Sequence, residues 1–489
     1  MKNPILFILS LCVLVAVSCQ SGKTGNTADD LIHKVETSLA PKIVLRGEGI
    51  DSALWSLEER MEAYHIPGVS IAFFEEGEIK WTKAYGTFSA SDSTGITPNT
   101  LFQAASISKP VAAVGALQLV EMGKIELDDA VNSYLQDWQI PENEFTEDMP
   151  VTLRDLLSHT SGLTVGGFDG YPVGNPVPNL MEILDGEGPA NSEPIRVVAT
   201  PDSAFKYSGG GYTVVQKLIE DLTNHSFQAY MQENVLEKVG MNNSGFDQPL
   251  PEEDESRAAV GHNGNGEEIP GKYNTFPELA AAGLWTTPSD LAAFAMSIQK
   301  AYQGSTEEIL SPELAKKLLT SQLDNWGLGL ILIEGDSTNW FSHGGSNFGF
   351  RCTMLANIDN GQGAVIMTNG NRGAGLYTEI LRSFSKTYGW DIFRSEIRQV
   401  ISLDEDQLAK FVGLYSHQPE NKFQVSVKIK EGKLQATQLW NDIKIPLLAE
   451  AEYEFFEGEE GVSFDFDHDE SGKITSIIIA GGWVLEKIE

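Results

Sequence analysis

Ser106 and Lys109 stand three residues apart in Ser106-Ile107-Ser108-Lys109, at the head of the apolar run Val111, Ala112, Val114, Leu117, Leu119 and Val120. On a helix this spacing puts both side chains on one face, with Cβ atoms about 5–6 Å apart. A serine hydroxyl is a weak nucleophile until a base takes its proton, and a lysine amine can do so when its pKa is lowered. The pair is therefore the minimum apparatus for acyl transfer, with Ser106 as nucleophile and Lys109 as base. The apolar run reads as a buried helix, and Pro110 fits only a first turn. Ser106 then lies at the helix N-terminus, where free backbone N–H groups can face a developing oxyanion.

Two further elements follow in order: Tyr207-Ser208-Gly209-Gly210-Gly211-Tyr212 and His343-Gly344-Gly345-Ser346. With Ser106-x-x-Lys109 they resemble the motifs of the serine β-lactamase/penicillin-binding family, in its class C-like branch of D-amino-acid peptidases and esterases. Leu156-Leu157-Ser158-His159-Thr160-Ser161-Gly162-Leu163 and Gly283-Leu284-Trp285-Thr286-Thr287-Pro288-Ser289-Asp290-Leu291 carry the same resemblance, which spans Gly49 to Trp390. It implies that Tyr207 relays the proton between Ser106 and the leaving group. It also implies that the backbone N–H of Ser346 joins that of Ser106 as the oxyanion hole. Gly345 and its neighbours would let a ligand pair with the strand edge.

Three positions depart from or extend that pattern. Gly209 stands where the family has an asparagine that binds the substrate's acyl side chain, and a triple glycine gives the loop freedom in φ. His343 replaces a permanent lysine cation with a group that titrates near neutrality, able to polarise Tyr207 but a weaker anchor for a carboxylate. Arg351, on the next strand, is a candidate for that anchor or a structural arginine. The departures favour an esterase or D-amino-acid peptidase. A D,D-carboxypeptidase or β-lactamase is the enzymatic alternative, and a penicillin- or peptide-binding lipoprotein the non-enzymatic one.

The elements that position these residues read as an α/β domain. A hairpin through Glu75-Glu76-Gly77 and a second through Asp359-Asn360-Gly361 bracket a mostly helical region, and Leu376 to Tyr388 closes the domain as a helix. The expected fold is β-lactamase-like: an antiparallel sheet flanked by helices, plus an α-helical subdomain, with the cleft at their junction. After Ile401, short alternating strands separated by turns argue for a small all-β antiparallel barrel, similar to the lipocalin-like barrel appended to some members of this family. The reading assigns 1–18 to a signal peptide, 19–48 to a tether, 49–398 to the hydrolase and 399–489 to the barrel.

Lys2 and the apolar stretch Ile5 to Val17 form an export signal, and Ala16-Val17-Ser18-Cys19 resembles a bacterial lipobox with Cys19 as the lipidation site. The expectation is an exported protein, anchored to the membrane by this lipid and facing the periplasm, with the polar Gln20 to Asp30 as a flexible tether. Of the three cysteines only Cys352 falls in the folded part, so no disulfide framework is expected there, and Cys352 reads as a buried small hydrophobe. A net charge of −35 over 489 residues disfavours nucleic acid or an anionic membrane surface as a partner, leaving the N-terminal lipid as the only expected membrane contact. The expected partner is a small ester, peptide or β-lactam-like substrate. Neither metal nor organic cofactor is expected, because there is no His-Glu-x-x-His, no Cys-x-x-Cys and no phosphate-binding glycine loop. Asp465-x-Asp467-x-Asp469 has Glu470 where a calcium loop needs glycine, and reads as a turn.

Overall fold

The computed structural model describes residues 27–47, 51–417 and 423–488. The export signal and Cys19 lie outside the described residues. Val69, Ile71 and Phe73 alternate with Ser70, Ala72 and Phe74 along the strand Gly68–Glu75, and both sets are buried. A strand apolar on both faces must lie inside a covered sheet. It sits third in a seven-stranded antiparallel sheet that runs from Asp92–Gly95, through Glu78–Ser89, Gly68–Glu75, Gly363–Thr368, Phe350–Asn357 and Asn339–Asn347, to Ile331–Glu334. The first hairpin turns at Glu76 and Gly77, both at positive φ, as a two-residue hairpin loop requires.

One face of the sheet packs on the helix Gly373–Tyr388, where Phe73, Trp81, Phe384 and Tyr388 stack in a group. The other face packs on Pro288–Tyr302, whose start is fixed by Thr287 accepting from the Asp290 N–H with Pro288 next in the chain. Beyond it the helical region surrounds Ser108–Glu121, in which every residue from Ser108 to Leu119 is buried.

Two boundaries differ from the sequence expectation. The 19–48 tether is shorter than read, because Ala28–Thr37 is a capped helix with Ile32 and Val35 buried, and Leu39 just after it joins the same core beside Gly373–Tyr388. The i, i+3 pair Ile32 and Val35 is an apolar helix face that the polar composition of Gln20 to Asp30 obscured. The following strand Ile43–Gly47 then pairs in parallel with Glu396–Val400, so the start of the domain is tied to the linker before the barrel.

The barrel is closed by eight antiparallel strands, from Gly413–Ser416 to Trp483–Lys487, with Tyr415 opposite Lys487 at the seam. Gly413–Ser416 was not among the expected strands; it is only four residues long. Phe411, Tyr415, Phe455, Phe464 and Phe466 fill the interior. Asp469 closes the Asp-rich turn by accepting from the Ser471 and Lys473 N–H groups. Among the described residues no helix is long and apolar enough to cross a membrane, and no cluster of three or more His, Cys, Asp or Glu could hold a metal.

Candidate active site

Ser106 occupies a short 3-10 turn, Ala105–Ile107, that runs directly into Ser108–Glu121. Ala105 before it has φ 50°. A left-handed non-glycine residue carries strain, and here it precedes the nucleophile candidate. Ser106 stays partly exposed within a buried stretch, as a nucleophile at the floor of a cleft must. Lys109 is 2% exposed; its Nζ donates to Ser106 Oγ at 3.1 Å and to the Ala281 carbonyl at 2.8 Å. Base and hydroxyl are therefore already within proton-transfer reach. The same Nζ lies 5.0 Å from the centre of the Tyr207 ring, which places the second proton-carrying group beside the first.

The strand Asn339–Asn347 brings in the third element. Ile331–Glu334 pairs with it only over Asn339 to Ser342, so residues 343–347 keep one edge without a partner strand. Gly345 faces the segment before Ser106, and a Cβ there would collide with the Ala104 carbonyl and Cys352 Sγ. Glycine is what lets strand and nucleophile turn touch. Cys352, opposite Gly345, is fully buried, and burial pushes its thiol up to about 12. Ser346, next in the chain, is exposed at the cleft edge.

Arg351 is not brought to this site. It pairs across from Ser346, but its neighbour Cys352 faces the nucleophile, so alternation turns Arg351 to the opposite side of the sheet. There its Nη1 donates to the Asn347 and Phe350 carbonyls at 2.6 and 2.7 Å. It holds the hairpin turn, so of its two readings the structural arginine fits and the carboxylate anchor does not.

Gly209 also differs from expectation. Gly209 to Gly211 form the first turn of the helix Gly209–Thr223 and none has positive φ, so the expected freedom in φ is not used. Space is the reason for glycine: a Cβ at Gly209 would sit 3.0 Å from the Phe168 ring and 3.2 Å from the Gly166 carbonyl. Phe168 closes the place where the family's asparagine would project.

His343 is 2% exposed, and its Nδ1 donates to the Gly344 carbonyl at 2.7 Å. In the neutral ring Nε2 is then a lone pair, and it is buried without a partner. Burial, followed by the charge of Lys109, pushes His343 down to about 3 against the upward pull of that hydrogen bond. The expected titration near neutrality is not met: burial in a low dielectric favours the neutral imidazole.

Sequence reasoning missed His159, Phe205 and Trp326. His159 is the left-handed cap of Leu153–Ser158. It also accepts from the Ser208 N–H at 3.1 Å and lies 4.2 Å from Tyr207, ring to ring, so it fixes the loop that carries Tyr207. Trp326 contacts His159, Tyr207 and His343 and stacks on Phe205, walling the cleft beside Tyr207. No periodicity or spacing marks Trp326; only the fold brings it there. His262 is a buried structural residue, bonded to the Asn369 carbonyl and the Ala90 N–H.

Burial also pushes His159 well below the ordinary histidine range, helped by Lys109 and His343. For both histidines the folded pKa lies below the unfolded one, so the unfolded chain binds protons first. The stability they allow is complete above about pH 6.5 and is lost as pH falls; for His343 the loss runs towards about pH 3, at about 1.4 kcal/mol per unit. His343→Asn is expected to flatten the slope of urea-unfolding free energy between about pH 6 and 4 by that amount. An unchanged slope would mean that His343 is already charged in the folded state.

Glu278 shows the opposite sign. It precedes the turn Leu279–Ala282 that presents the Ala281 carbonyl to Lys109, it is fully buried, and neither carboxyl oxygen has a partner. Burial raises it to about 8. Its neutral form is favoured in the fold, so stability present below about pH 4.5 is lost as pH rises from there to about 8. Glu278→Gln is expected to raise Tm most at alkaline pH; an equal change at pH 4 and pH 9 would contradict this assignment.

A family model described as Beta-lactamase matches residues 56–382. The chain belongs to the β-lactamase family, whose members are serine hydrolases. A second model, described as a domain of unknown function (DUF3471), matches 398–487, the linker and barrel. Penicillin-binding protein 4 of Amycolatopsis lactamdurans is 26% identical over 360 residues, covering 68% of this chain and 89% of that protein. The octameric penicillin-binding protein homologue from Pyrococcus abyssi superposes with a TM-score of 0.60 at 23% identity, covering 88% of this chain and 98% of that one. D-amino acid amidase from Ochrobactrum anthropi SV3 gives 0.55 at 21% identity, covering 73% and 99%. At these identities the structural likenesses establish the β-lactamase fold, and the chemistry rests on the site.

Proposed function

We propose that this β-lactamase-family protein is an exported serine hydrolase, tethered through Cys19, that cleaves esters or D-amino-acid amides through an acyl-Ser106 intermediate. The observation that carries the reading is the buried contact between Lys109 Nζ and Ser106 Oγ, with Tyr207 alongside. Lys109, as the free amine, takes the Ser106 proton while Oγ bonds to the carbonyl carbon. The main-chain N–H groups of Ser106 and Ser346 receive the oxyanion. Tyr207 and the protonated Lys109 then pass a proton to the departing alkoxide or amine as its bond to the acyl carbon breaks. Water attacks the acyl carbon and gives a proton to the same pair, which returns it to Ser106 Oγ as the Oγ–acyl bond breaks, releasing the acid and the free serine.

His343 supports uncharged substrates over free carboxylates. A buried, neutral imidazole supplies no positive charge of its own for a substrate's terminal carboxylate, unlike the lysine that the family carries at this position. Phe168 over Gly209 removes the amide that the family offers to an acyl side chain. The name of one structural neighbour, a D-amino acid amidase, points the same way.

The test is a turnover panel of p-nitrophenyl esters, D- and L-phenylalanine amide, nitrocefin and a peptide ending in D-Ala-D-Ala. Esters or D-amides are expected to have a kcat/KM at least about tenfold above the others. Preference for the D-Ala-D-Ala peptide or nitrocefin would replace the reading with a carboxypeptidase or β-lactamase. No turnover of any substrate would favour a binding protein.

A further inference from the structure

On the layer away from Ser106 lies a groove of about 370 Å³ between the segment that follows the first helix, the helix Gly373–Tyr388 and the linker to the barrel. Its floor is apolar, with Val44 buried and Ile397 65% exposed. Its rim carries Arg46, Arg382, Lys386 and Arg394. Four cations around one groove are out of character for a chain of 34 basic and 69 acidic residues.

Two of the four are paired, Arg394 with Asp336 and Arg46 with Asp51. Other acids nearby are held elsewhere: Glu379 by both arms of Arg60, Glu460 by Lys42 and Glu396 by Arg398. Arg382 donates to the Ala40 carbonyl at 3.4 Å, and neither it nor Lys386 has a carboxylate within 4 Å among the described residues. The two lie one helical turn apart on one face, where like charges repel. An anion bound between them would relieve that repulsion, and guanidinium groups suit phosphate oxygens.

We propose that this groove binds an anionic phospholipid, with the headgroup phosphate on Arg382 and Lys386 and the start of an acyl chain along Val44 and Ile397. A free phosphate would leave the apolar floor unused, and a neutral apolar ligand would leave the cations unpaired. Chain geometry favours a bilayer as the source. The groove begins at Ser38, directly after the helix Ala28–Thr37, and the stretch from Cys19 to Thr27 extends at most about 30 Å. A chain lipidated at Cys19 keeps this face within reach of the membrane surface. The proposal is independent of any chemistry at Ser106.

The test uses the chain from Gln20, which keeps every described residue and lacks the apolar leader. Co-sedimentation is measured with phosphatidylcholine vesicles with and without about 30% phosphatidylglycerol, alongside titration with soluble dihexanoylphosphatidylglycerol and with inorganic phosphate. Phosphatidylglycerol vesicles and the short-chain lipid are expected to bind, with Lys386→Glu and Ile397→Asp each weakening binding at least about fivefold. Lys124→Glu, a remote exposed lysine, is expected to leave binding unchanged, and all three variants to keep wild-type ester turnover. The proposal is overturned if wild type binds neither lipid form, or if Lys124→Glu weakens binding as much as Lys386→Glu. It is equally overturned if inorganic phosphate binds as tightly as the short-chain lipid with Ile397→Asp silent.

Discussion

Ser106→Ala is expected to lower turnover of the best ester at least about a thousandfold while leaving Tm within about 2 °C of wild type. The side chain lost is one hydroxyl whose hydrogen-bond partner is Lys109, so little packing changes. Lys109→Met is expected to be nearly as damaging, because Ser106 then has no base within reach. It is the sharper variant for stability. Replacing a buried ammonium by an apolar side chain of similar length is commonly neutral or stabilising, so a folded, inactive Lys109→Met separates chemistry from scaffold. The two losses are expected to be far from additive: the double variant should be about as slow as either single one, as for residues that act as a unit. Additive losses, measured as kcat/KM on the same ester, would mean that the pair does not share one step.

The second large effect comes from a residue with no functional group. Gly345→Ala is expected to cost about 1–3 kcal/mol of stability and at least about a hundredfold in kcat. Its Cβ would enter the space of the Ala104 carbonyl, which is backbone and cannot rotate away, and of Cys352 Sγ. Relief would require moving the strand from the turn that carries Ser106, which separates nucleophile and oxyanion donors. Cys352→Ala in the same chain removes the sulfur clash but not the backbone one. The double variant is therefore expected to recover part of the stability and little of the activity. Full recovery of kcat by Cys352→Ala would show that the strand's approach to Ala104 is unimportant.

The sequence made the nucleophile and its base visible because one helical turn fixes their proximity regardless of context. Alternating strands and glycine-bearing turns likewise made both hairpins and most of the barrel readable. Failures occurred where a third dimension decides. His343 was assigned a titration near neutrality from its intrinsic chemistry, but its environment of burial and Lys109 holds it neutral. Arg351 was left open between a substrate anchor and a structural role because it follows the motif strand, although a period of two from Cys352 already turns it to the other face. The Gly209 run suggested backbone freedom, whereas the constraint is the Phe168 ring arriving from another loop. Trp326 and His159 carry no spacing that ties them to Tyr207; they meet it only through the fold.

The central claim is that Ser106 forms the covalent bond. Treating wild type, Ser106→Ala and Lys109→Met with a fluorophosphonate, then recording intact mass and mapping the labelled peptide, tests it directly. The account predicts one adduct per wild-type chain, on the peptide containing Ser106, with none on Ser106→Ala and slow labelling of Lys109→Met. An adduct on another residue, or equal labelling of Ser106→Ala, would contradict it.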